Sequence, residues 1–123
     1  MAEFILPLPR SSESVGRARS TVRAALVGLD GDVADVSVLL VNELVANAIV
    51  HGEGSISFSL EIGAGGVRVA VTDEGEELPV LRASSPTAEG GRGLSIVDTL
   101  ATRWGVDPEG RGKSVWFELE LPG

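Results

Sequence analysis

The sequence predicts an α+β protein, a two-layer sandwich in which helices cover one face of a mixed or mostly antiparallel sheet. Three segments carry apolar residues at helical spacing, and five shorter segments have the features of strands. Four of those strands form two pairs joined by glycine-containing turns, which is typical of β-hairpins. Hairpins favour an antiparallel sheet over a doubly wound parallel one. The predicted order of elements is β-α-α-β-β-α-β-β.

Length and composition limit the function classes. A chain of 123 residues has the usual size of one domain, so residues 1–123 are predicted to form a single domain. The net charge of −8, with one lysine among ten basic residues, argues against a nucleic-acid-binding protein. Because the sequence has no cysteine, disulfides, thiolate catalysis and cysteine-ligated metals are excluded.

Membrane and export signals are not expected in this sequence. No stretch approaches the roughly 20 apolar residues of a membrane span. The apolar residues 4–9 are too short for a signal-peptide core and lack a basic leader. We therefore expect a cytoplasmic protein with no membrane partner.

The N-terminal half is predicted to contain one strand and two helices. The strand lies at the edge of the sheet, because two prolines end it. Ser11 or Ser12 caps the first helix, residues 30–32 break the pattern and cap the second, and Gly52 ends it. The predicted bounds are 3–8 for the strand, 11–29 for the first helix and 33–50 for the second.

The C-terminal half is predicted to contain two hairpins separated by a loop and a helix. Each hairpin strand alternates apolar and polar residues. The loop contains Pro79 and Pro86 and shows no clear period, and loops of that length in compact domains are usually functional or disordered. The predicted bounds are 55–62, 66–72, 103–107 and 113–121 for the strands, 76–90 for the loop and 94–101 for the third helix.

A polar stripe interrupts the apolar second helix. Glu43, Asn47 and His51 lie four residues apart, so they project from one face in successive turns. A neutral polar group buried without a partner costs roughly 2–7 kcal/mol, so some partner must face this stripe. A cleft that holds a ligand, a metal ion and water would supply that partner.

Two interpretations of the stripe are evenly balanced on these residues alone. The amide oxygen of Asn47 is a hard ligand suited to Mg²⁺, and the carboxylate of Glu43 could accept a proton from a hydroxyl or water. Alternatively, both side chains satisfy nearby backbone groups. His51 lies at the helix end, where a histidine more often interacts with the helix dipole than with a ligand.

Two further segments could contact a nucleotide. Asp73 and Gly75 directly follow a strand, where the carboxylate could accept a hydrogen bond from a base and the glycine could leave room for a flat ring. An ordinary turn is the favoured interpretation of that pair alone. Gly90-Gly91-Arg92-Gly93-Leu94 opens a helix, where free amides and Arg92 could bind phosphate. Neither a Walker motif nor a Gly-x-Gly-x-x-Gly after a strand is present.

The last strand opens with Gly112-Lys113-Ser114, which has the end of a Walker motif but precedes a strand instead of a helix. We interpret Ser114 as a minor contact to the base pocket. Lys113 is interpreted as a solvated residue at the start of a strand.

The order of these segments is more specific than any one of them. Glu43-x3-Asn47, Asp73-x-Gly75, a loop and Gly91-x-Gly93-Leu94 resemble the N, G1 and G2 boxes of the GHKL ATPase superfamily, which includes gyrase, MutL and the histidine kinases. The phrases at residues 43–52, 91–97 and 112–119 resemble its small free-standing branch. That branch contains the anti-sigma-factor serine/threonine kinases of the RsbW type and their relatives.

The resemblance implies the Bergerat fold with ATP bound as the Mg²⁺ complex. It implies that Asn47 coordinates the Mg²⁺, Glu43 is the catalytic general base, Asp73 binds the adenine amino group and Gly75 gives the ring room. It also implies that the protein phosphorylates an anti-sigma-factor antagonist of the STAS type, sequesters a sigma factor and is a possible homodimer. It implies that Gly91, Arg92, Gly93 and Leu94 contact the phosphates. His51 and Ser114 are left open as minor contacts at the edge of the nucleotide site.

Two departures from the family pattern favour a second hypothesis. The first glycine box of many relatives reads Asp-x-Gly-x-Gly, but here its last position is Glu77, which adds negative charge near the phosphates. The second box is Gly90-Gly91-Arg92-Gly93 and not a full Gly-x-Gly-x-Gly. The alternative to a kinase is therefore a catalytically weak, nucleotide-sensing module that binds a protein partner.

Overall fold

The structure is a computed structural model that describes residues 2–75 and 91–121. The predicted loop at residues 76–90, with Glu77 and Gly90, lies outside the described residues. Five strands and three helices follow in the predicted order. The elements are β1 (Ala2–Leu8), α1 (Glu13–Ala25), α2 (Gly31–His51), β2 (Ile56–Ile62), β3 (Gly66–Asp73), α3 (Gly91–Leu100), β4 (Arg103–Glu109) and β5 (Gly112–Glu120).

The five strands form one sheet in the order β1-β2-β3-β5-β4. Every neighbouring pair is antiparallel, so the predicted fold class is confirmed and the sheet is antiparallel throughout the described residues. β1 lies at an edge, as the prolines predict. Because β3 pairs with β5 and not with β4, the two predicted hairpins meet at the centre of the sheet.

The core lies between the helices and one face of the sheet. Leu60, Val69 and Phe117 lie side by side on β2, β3 and β5, and each is fully buried. Helix α2 packs on β3 and β5 and is flanked by α1 and α3. Alternation along each strand therefore produces a helix-covered face and an open face.

The expectation that no segment is long and apolar enough to span a membrane is wrong for helix α2. Over its 21 residues it is long and apolar enough to do so by length and composition, with a mean hydropathy of 1.8. In this fold, however, Leu40, Leu44 and Val45 of α2 are buried in the core of the domain. Packing against the sheet and α1 therefore accounts for the buried part of its apolar surface, while Leu39 and Val50 are exposed.

The element bounds differ from prediction at two turns. Helix α1 ends at Ala25 and not near Leu29, because the chain turns through Gly28, whose φ of 89° is in the left-handed region. Strand β4 continues through Pro108, which the sequence suggested was part of a turn. β4 is an edge strand, and an edge position tolerates a proline that cannot donate a hydrogen bond.

The open face carries a charged and aromatic cluster on β3, β4 and β5. The guanidinium carbon of Arg68 lies 4.3 Å from the ring centroid of Trp116. Glu118 accepts hydrogen bonds from Arg103 Nε at 2.7 Å and from Arg68 Nη1 at 3.1 Å. These two arginines lower the pKa of Glu118, with the Arg103 hydrogen bond as the largest cause.

Candidate nucleotide-binding site

Asp73, the last residue of β3, is the centre of a buried polar cluster. The residue is 3% exposed. Its Oδ1 accepts hydrogen bonds from the backbone N–H of Gly75 at 2.7 Å, from Lys113 Nζ at 3.0 Å and from the backbone N–H of Glu53 at 3.4 Å. The carboxylate is therefore held in one orientation by donors from three separate segments.

The interpretation of Lys113 as a solvated residue is wrong. It is 2% exposed, and its ammonium pairs with Asp73 and lies 3.4 Å from the carbonyl oxygen of Gly75. The strand register sets Lys113 directly opposite Asp73. The sequence did contain a signal, because Lys113 is in phase with Val115, Phe117 and Leu119 and therefore belongs to the helix-covered face.

Three glycines surround Asp73, and a Cβ atom would clash at Gly112 and Gly52 and would be tightly packed at Gly75. A Cβ atom at Gly112 would lie 1.8 Å from the backbone oxygen of Asp73, and one at Gly52 would lie 2.6 Å from its Cγ. At Gly75 a Cβ would lie 3.0 Å from Asp73 Oδ1 and 3.4 Å from Lys113 Nζ. The room that Gly75 was predicted to leave for a flat ring stays a prediction.

The C-terminus of α2 is fixed against this cluster. Gly52 caps the helix and contacts Asp73, and Glu53 accepts a backbone hydrogen bond from Glu74 at 2.8 Å. Arg10 donates to the carbonyl oxygens of Ala48 at 2.7 Å, Ile49 at 2.9 Å and Gly54 at 3.0 Å. A guanidinium at this position satisfies the last carbonyls of α2 and interacts favourably with its dipole.

Glu74 holds the loop that follows α2. Its carboxylate accepts a hydrogen bond from the backbone N–H of Ser55 at 3.1 Å. That bond is the largest cause that lowers the pKa of the exposed Glu74 carboxyl. Gly54, with a φ of 66°, makes the turn that the contact requires.

The polar stripe of α2 extends away from this end of the helix. Glu43 and Asn47 are half-buried and border the buried face, whereas His51 is exposed and directly precedes Gly52. Within residues 2–75 and 91–121, no hydrogen bond joins the side chain of Glu43 or Asn47 to another group. Both side chains are partly exposed and can therefore bond to solvent or to a ligand.

The donor set of α2 fits a nucleotide-bound metal better than a metal held by protein alone. In the described part of the chain, no group of three or more His, Cys, Asp and Glu side chains could hold a metal ion. Mg²⁺ commonly takes one or two protein ligands and completes its shell with phosphate and water. An amide oxygen at Asn47 suits that arrangement.

The glycine segment predicted to bind phosphate forms the first turn of α3. The backbone of Gly91, Arg92, Gly93 and Leu94 is helical, and α3 packs against α2 and β4. Trp104 Nε1 of β4 donates to Asp98 Oδ1 of α3 at 2.8 Å. The N–H groups of a first helical turn lack intrahelical acceptors, so they are available to an anion.

Ser114 lies on the other side of the sheet from Asp73. It pairs with Thr72, whose hydroxyl donates to the Ser114 hydroxyl at 3.1 Å. Adjacent strand residues point to opposite faces, so Lys113 and not Ser114 reaches the Asp73 cluster. The structure therefore brings Asp73, Gly75 and the end of α2 together, with α3 packed beside α2, but does not bring Ser114 to them.

Known proteins share sequence similarity with this chain. The profile of the family described as the histidine kinase-like ATPase domain matches residues 8–119. The sensor histidine kinase PdtaS of Mycobacterium tuberculosis is 35% identical over 105 residues, which are 80% of this chain and 21% of that protein. An uncharacterised protein of Streptomyces coelicolor is 41% identical over 57 residues, covering 45% of this chain and 54% of the relative. The chain thus spans about a fifth of the length of PdtaS.

Solved structures share the fold at low sequence identity. The structure of the RsbU and RsbW domains of Rv1364c from Mycobacterium tuberculosis matches 98% of this chain and 33% of that chain, with a TM-score of 0.75 and 19% identity. The blue-light-activated histidine kinase EL346 of Erythrobacter litoralis matches 94% of this chain and 42% of its own, with a TM-score of 0.62 and 22% identity. Both likenesses concern the fold.

Proposed function

The chain belongs to the histidine kinase-like ATPase domain family, and from that premise we propose that it is an ATP-dependent serine/threonine protein kinase that regulates a sigma factor. The observation that carries the proposal is the junction between α2 and the Asp73 cluster. Gly52 ends α2 in contact with Asp73. The polar stripe with Glu43 and Asn47 therefore runs along α2 from the proposed base site at its C-terminal end. The base and phosphate ends of a nucleotide would lie along that stripe.

Each part of the nucleotide has a candidate partner. Asp73 accepts from the adenine amino group, and Asn47 is the protein ligand of a Mg²⁺ ion that neutralises phosphate charge. The first turn of α3, formed by Gly91, Arg92, Gly93 and Leu94, offers amides to the phosphates. His51 is exposed beside Gly52 and lies at the edge of the site.

The proposed reaction transfers a phosphoryl group to a hydroxyl of a partner protein. The hydroxyl oxygen forms a bond to the γ-phosphorus, the bond from that phosphorus to the bridging oxygen of ADP breaks, and Glu43 accepts the hydroxyl proton. Phosphoryl transfer depends mainly on positioning and charge neutralisation, so few side chains are needed. The half-buried carboxylate of Glu43 lies one helical turn from Asn47, within reach of the same phosphate.

The proposed partners are an anti-sigma-factor antagonist of the STAS type and a sigma factor. The support comes from the sequence phrases at residues 43–52, 91–97 and 112–119, which resemble the RsbW-type kinases. Similarity to the sensor histidine kinase PdtaS supports a kinase-type activity in general. Acceptor chemistry therefore has to be decided by experiment.

The acceptor can be identified from the stability of the phosphorylated product. The purified protein is incubated with γ-labelled ATP, Mg²⁺ and candidate antagonist proteins, and the labelled partner is then treated with acid or alkali. A phosphoserine or phosphothreonine survives acid, whereas a phosphohistidine is lost. Acid-labile label on the partner would contradict the serine/threonine assignment, and no label on any partner would contradict the kinase.

The role of Glu43 is tested by the substitution Glu43→Gln. It keeps the size and polarity of the side chain but removes the proton acceptor, so we expect ATP affinity to be retained and transfer to fall by about 10²-fold or more. Asp35→Asn is the matched control, because Asp35 is exposed on the same helix. Equal transfer rates in the two variants would exclude Glu43 as the base.

The second candidate function is a nucleotide-sensing module that binds a protein partner without catalysis. This second function is favoured by one residue of the sequence, Glu77, which replaces the last glycine of the first glycine box. The module hypothesis predicts that Glu43→Gln leaves both partner binding and the cellular phenotype unchanged. A folded Glu43→Gln protein that binds its partner but has lost the phenotype would decide for the kinase.

A further inference from the structure

We propose that Lys113 is a base-recognition residue, whose ammonium donates to ring nitrogen N1 of adenine while Asp73 accepts from the neighbouring amino group. This inference rests on the proposed nucleotide site. It adds a second, positively charged reader of the base at a position that the sequence suggested was solvated.

Burying a lysine beside Asp73 costs free energy. The side chains of Lys113 and Asp73 are 3% and 2% exposed, with Nζ and Oδ1 3.0 Å apart. Removing two charges from water is expensive, and well-packed apolar residues commonly stabilise a core at least as well as a buried ion pair. Stability alone therefore does not account for a lysine at this position.

Lys113 and Asp73 have more hydrogen-bonding groups than the described residues use. An ammonium has three N–H donors, and the described acceptors are Asp73 Oδ1 at 3.0 Å and the Gly75 carbonyl at 3.4 Å. The Asp73 carboxylate receives its three hydrogen bonds from described residues on Oδ1 alone. Among the described residues, one N–H of Lys113 and the second carboxylate oxygen of Asp73 make no hydrogen bond, and both are offered to a ligand at the same place.

A carboxylate beside an ammonium matches the hydrogen-bonding edge of adenine. A base is read by hydrogen bonds to its Watson–Crick edge. On adenine that edge places an amino donor beside the N1 acceptor, which is complementary to a carboxylate beside an ammonium. Hypoxanthine and guanine present a carbonyl oxygen and an N–H at these two positions, so donor and acceptor are exchanged. The pair therefore selects an adenine nucleotide by two adjacent groups.

The test compares three nucleotides by direct binding measurements. ATP carries both groups, 1-deaza-ATP has a C–H in place of N1, and purine riboside triphosphate lacks the amino group. We expect the wild-type protein to bind 1-deaza-ATP about tenfold more weakly than ATP, because a site built to donate a hydrogen bond rejects an analogue that cannot accept it. In Lys113→Met we expect the ratio of the dissociation constants of 1-deaza-ATP and ATP to fall to about one.

Purine riboside triphosphate is the internal control, since it tests Asp73 and not Lys113. It should bind more weakly than ATP to both the wild type and Lys113→Met. Where Lys113→Met leaves the buried carboxylate unpaired and fails to fold, the double variant Asp73→Asn/Lys113→Met removes both charges. The double variant should also bind ATP and 1-deaza-ATP equally.

Three results would overturn the inference. Equal binding of ATP and 1-deaza-ATP by the wild type would show that N1 is not read, while the proposed function would stand. A tenfold ratio that persists in Lys113→Met would assign N1 to another donor. Binding of none of the three nucleotides by the folded wild type would remove the proposed function together with the inference.

Discussion

The glycines around Asp73 show how strongly the site depends on single residues. Gly52 and Gly75 bring the end of α2 and the turn after β3 against the carboxylate, and Gly112 lets β5 start beside the backbone of Asp73. These positions require a missing Cβ because of close approach, since none of the three has a positive φ. A side chain at any of them would move the groups that are proposed to read the base.

The substitution Gly112→Ala tests this requirement. The Cβ of the alanine would lie 1.8 Å from the Asp73 carbonyl oxygen. Because both atoms are attached to the backbone of paired strands, neither can move away easily. We therefore expect a loss of about 3 kcal/mol or more in the free energy of unfolding. Urea denaturation measures it. Gly16→Ala in α1 is the control, because nothing lies within 4 Å of its Cβ. That control should gain about 0.5–1 kcal/mol, and equal stabilities for the two variants would contradict the packing argument.

Among the elements, α2 does the most to organise the molecule. One side packs on the sheet, the other side borders α1 and α3, and its polar stripe ends at the Asp73 cluster. Arg10 holds the last turn of α2 through three carbonyl oxygens. The segment after β1 therefore helps to set where α2 ends relative to β3.

The substitution Arg10→Met tests that clamp. It keeps an unbranched apolar stem but removes the three donated hydrogen bonds, so we expect a loss of about 1 kcal/mol, since Arg10 is largely exposed. Faster amide hydrogen exchange should be confined to the last turn of α2 and the loop to β2. Arg19→Met on the exposed side of α1 is the control. Unchanged exchange at residues 48–54 in Arg10→Met would mean that the clamp contributes nothing.

The pairing of β3, β4 and β5 is reinforced on the open face by Glu118. Hydrogen bonds from Arg103 and Arg68 hold the pKa of the Glu118 carboxyl below its ordinary value of 4.5. A carboxyl whose pKa is lower in the folded state stabilises the fold above its unfolded pKa, and that stability is lost as the pH falls through the folded pKa. The contribution is therefore present at neutral pH and disappears below about pH 4.5.

The substitution Glu118→Gln tests the pH dependence. We expect the free energy of unfolding to drop by about 0.2–1 kcal/mol at pH 7. The deficit relative to the wild type should shrink as the pH falls below 4.5, because the wild type then loses the same interaction. Glu109→Gln, exposed on β4, is the control. A deficit that stays constant from pH 7 to pH 3 would show that the cause is not the charge of Glu118.

At the scale of the whole molecule, residues 2–75 and 91–121 form one antiparallel sheet with helices on one side. The candidate site lies where the C-terminal end of α2 meets β3 and β5. A ligand that contacts α2, α3 and the sheet together should stabilise the entire fold. Saturation at 100 times the dissociation constant adds about 2.7 kcal/mol. For a domain of this size that is a shift of several degrees in Tm.

Thermal denaturation with Mg-ATP measures this effect, and Asn47→Ala assigns the metal. We expect the wild type to gain more from ATP with Mg²⁺ than from ATP with a chelator. In Asn47→Ala the two shifts should become equal. Asn42→Ala on the same helix is the matched control. A full Mg²⁺-dependent shift in Asn47→Ala would show that Asn47 is not the metal ligand.

Much of the fold could be predicted from local patterns. Alternation along β2, β3 and β5 and the apolar spacing of α2 predicted the elements nearly to the residue, because burial on one face leaves a period in the sequence. Local patterns were less informative at Pro108, where the sheet position decides whether a proline is tolerated. They also placed Ser114 at the base pocket and Lys113 in solvent, whereas the phase of β5 places Lys113 beside Asp73 and Ser114 beside Thr72 on the opposite face of the sheet.

The sequence by itself determined the element order, the family pattern and the polar stripe on α2, since each of these lies within a short stretch of chain. Only the tertiary structure decided which side chains meet. Lys113 and Asp73 are far apart in the sequence, and the register of β3 against β5 brings their charges to 3.0 Å. Strand register depends on contacts among all the packed elements, so the pair at the centre of the candidate site is a property of the folded molecule.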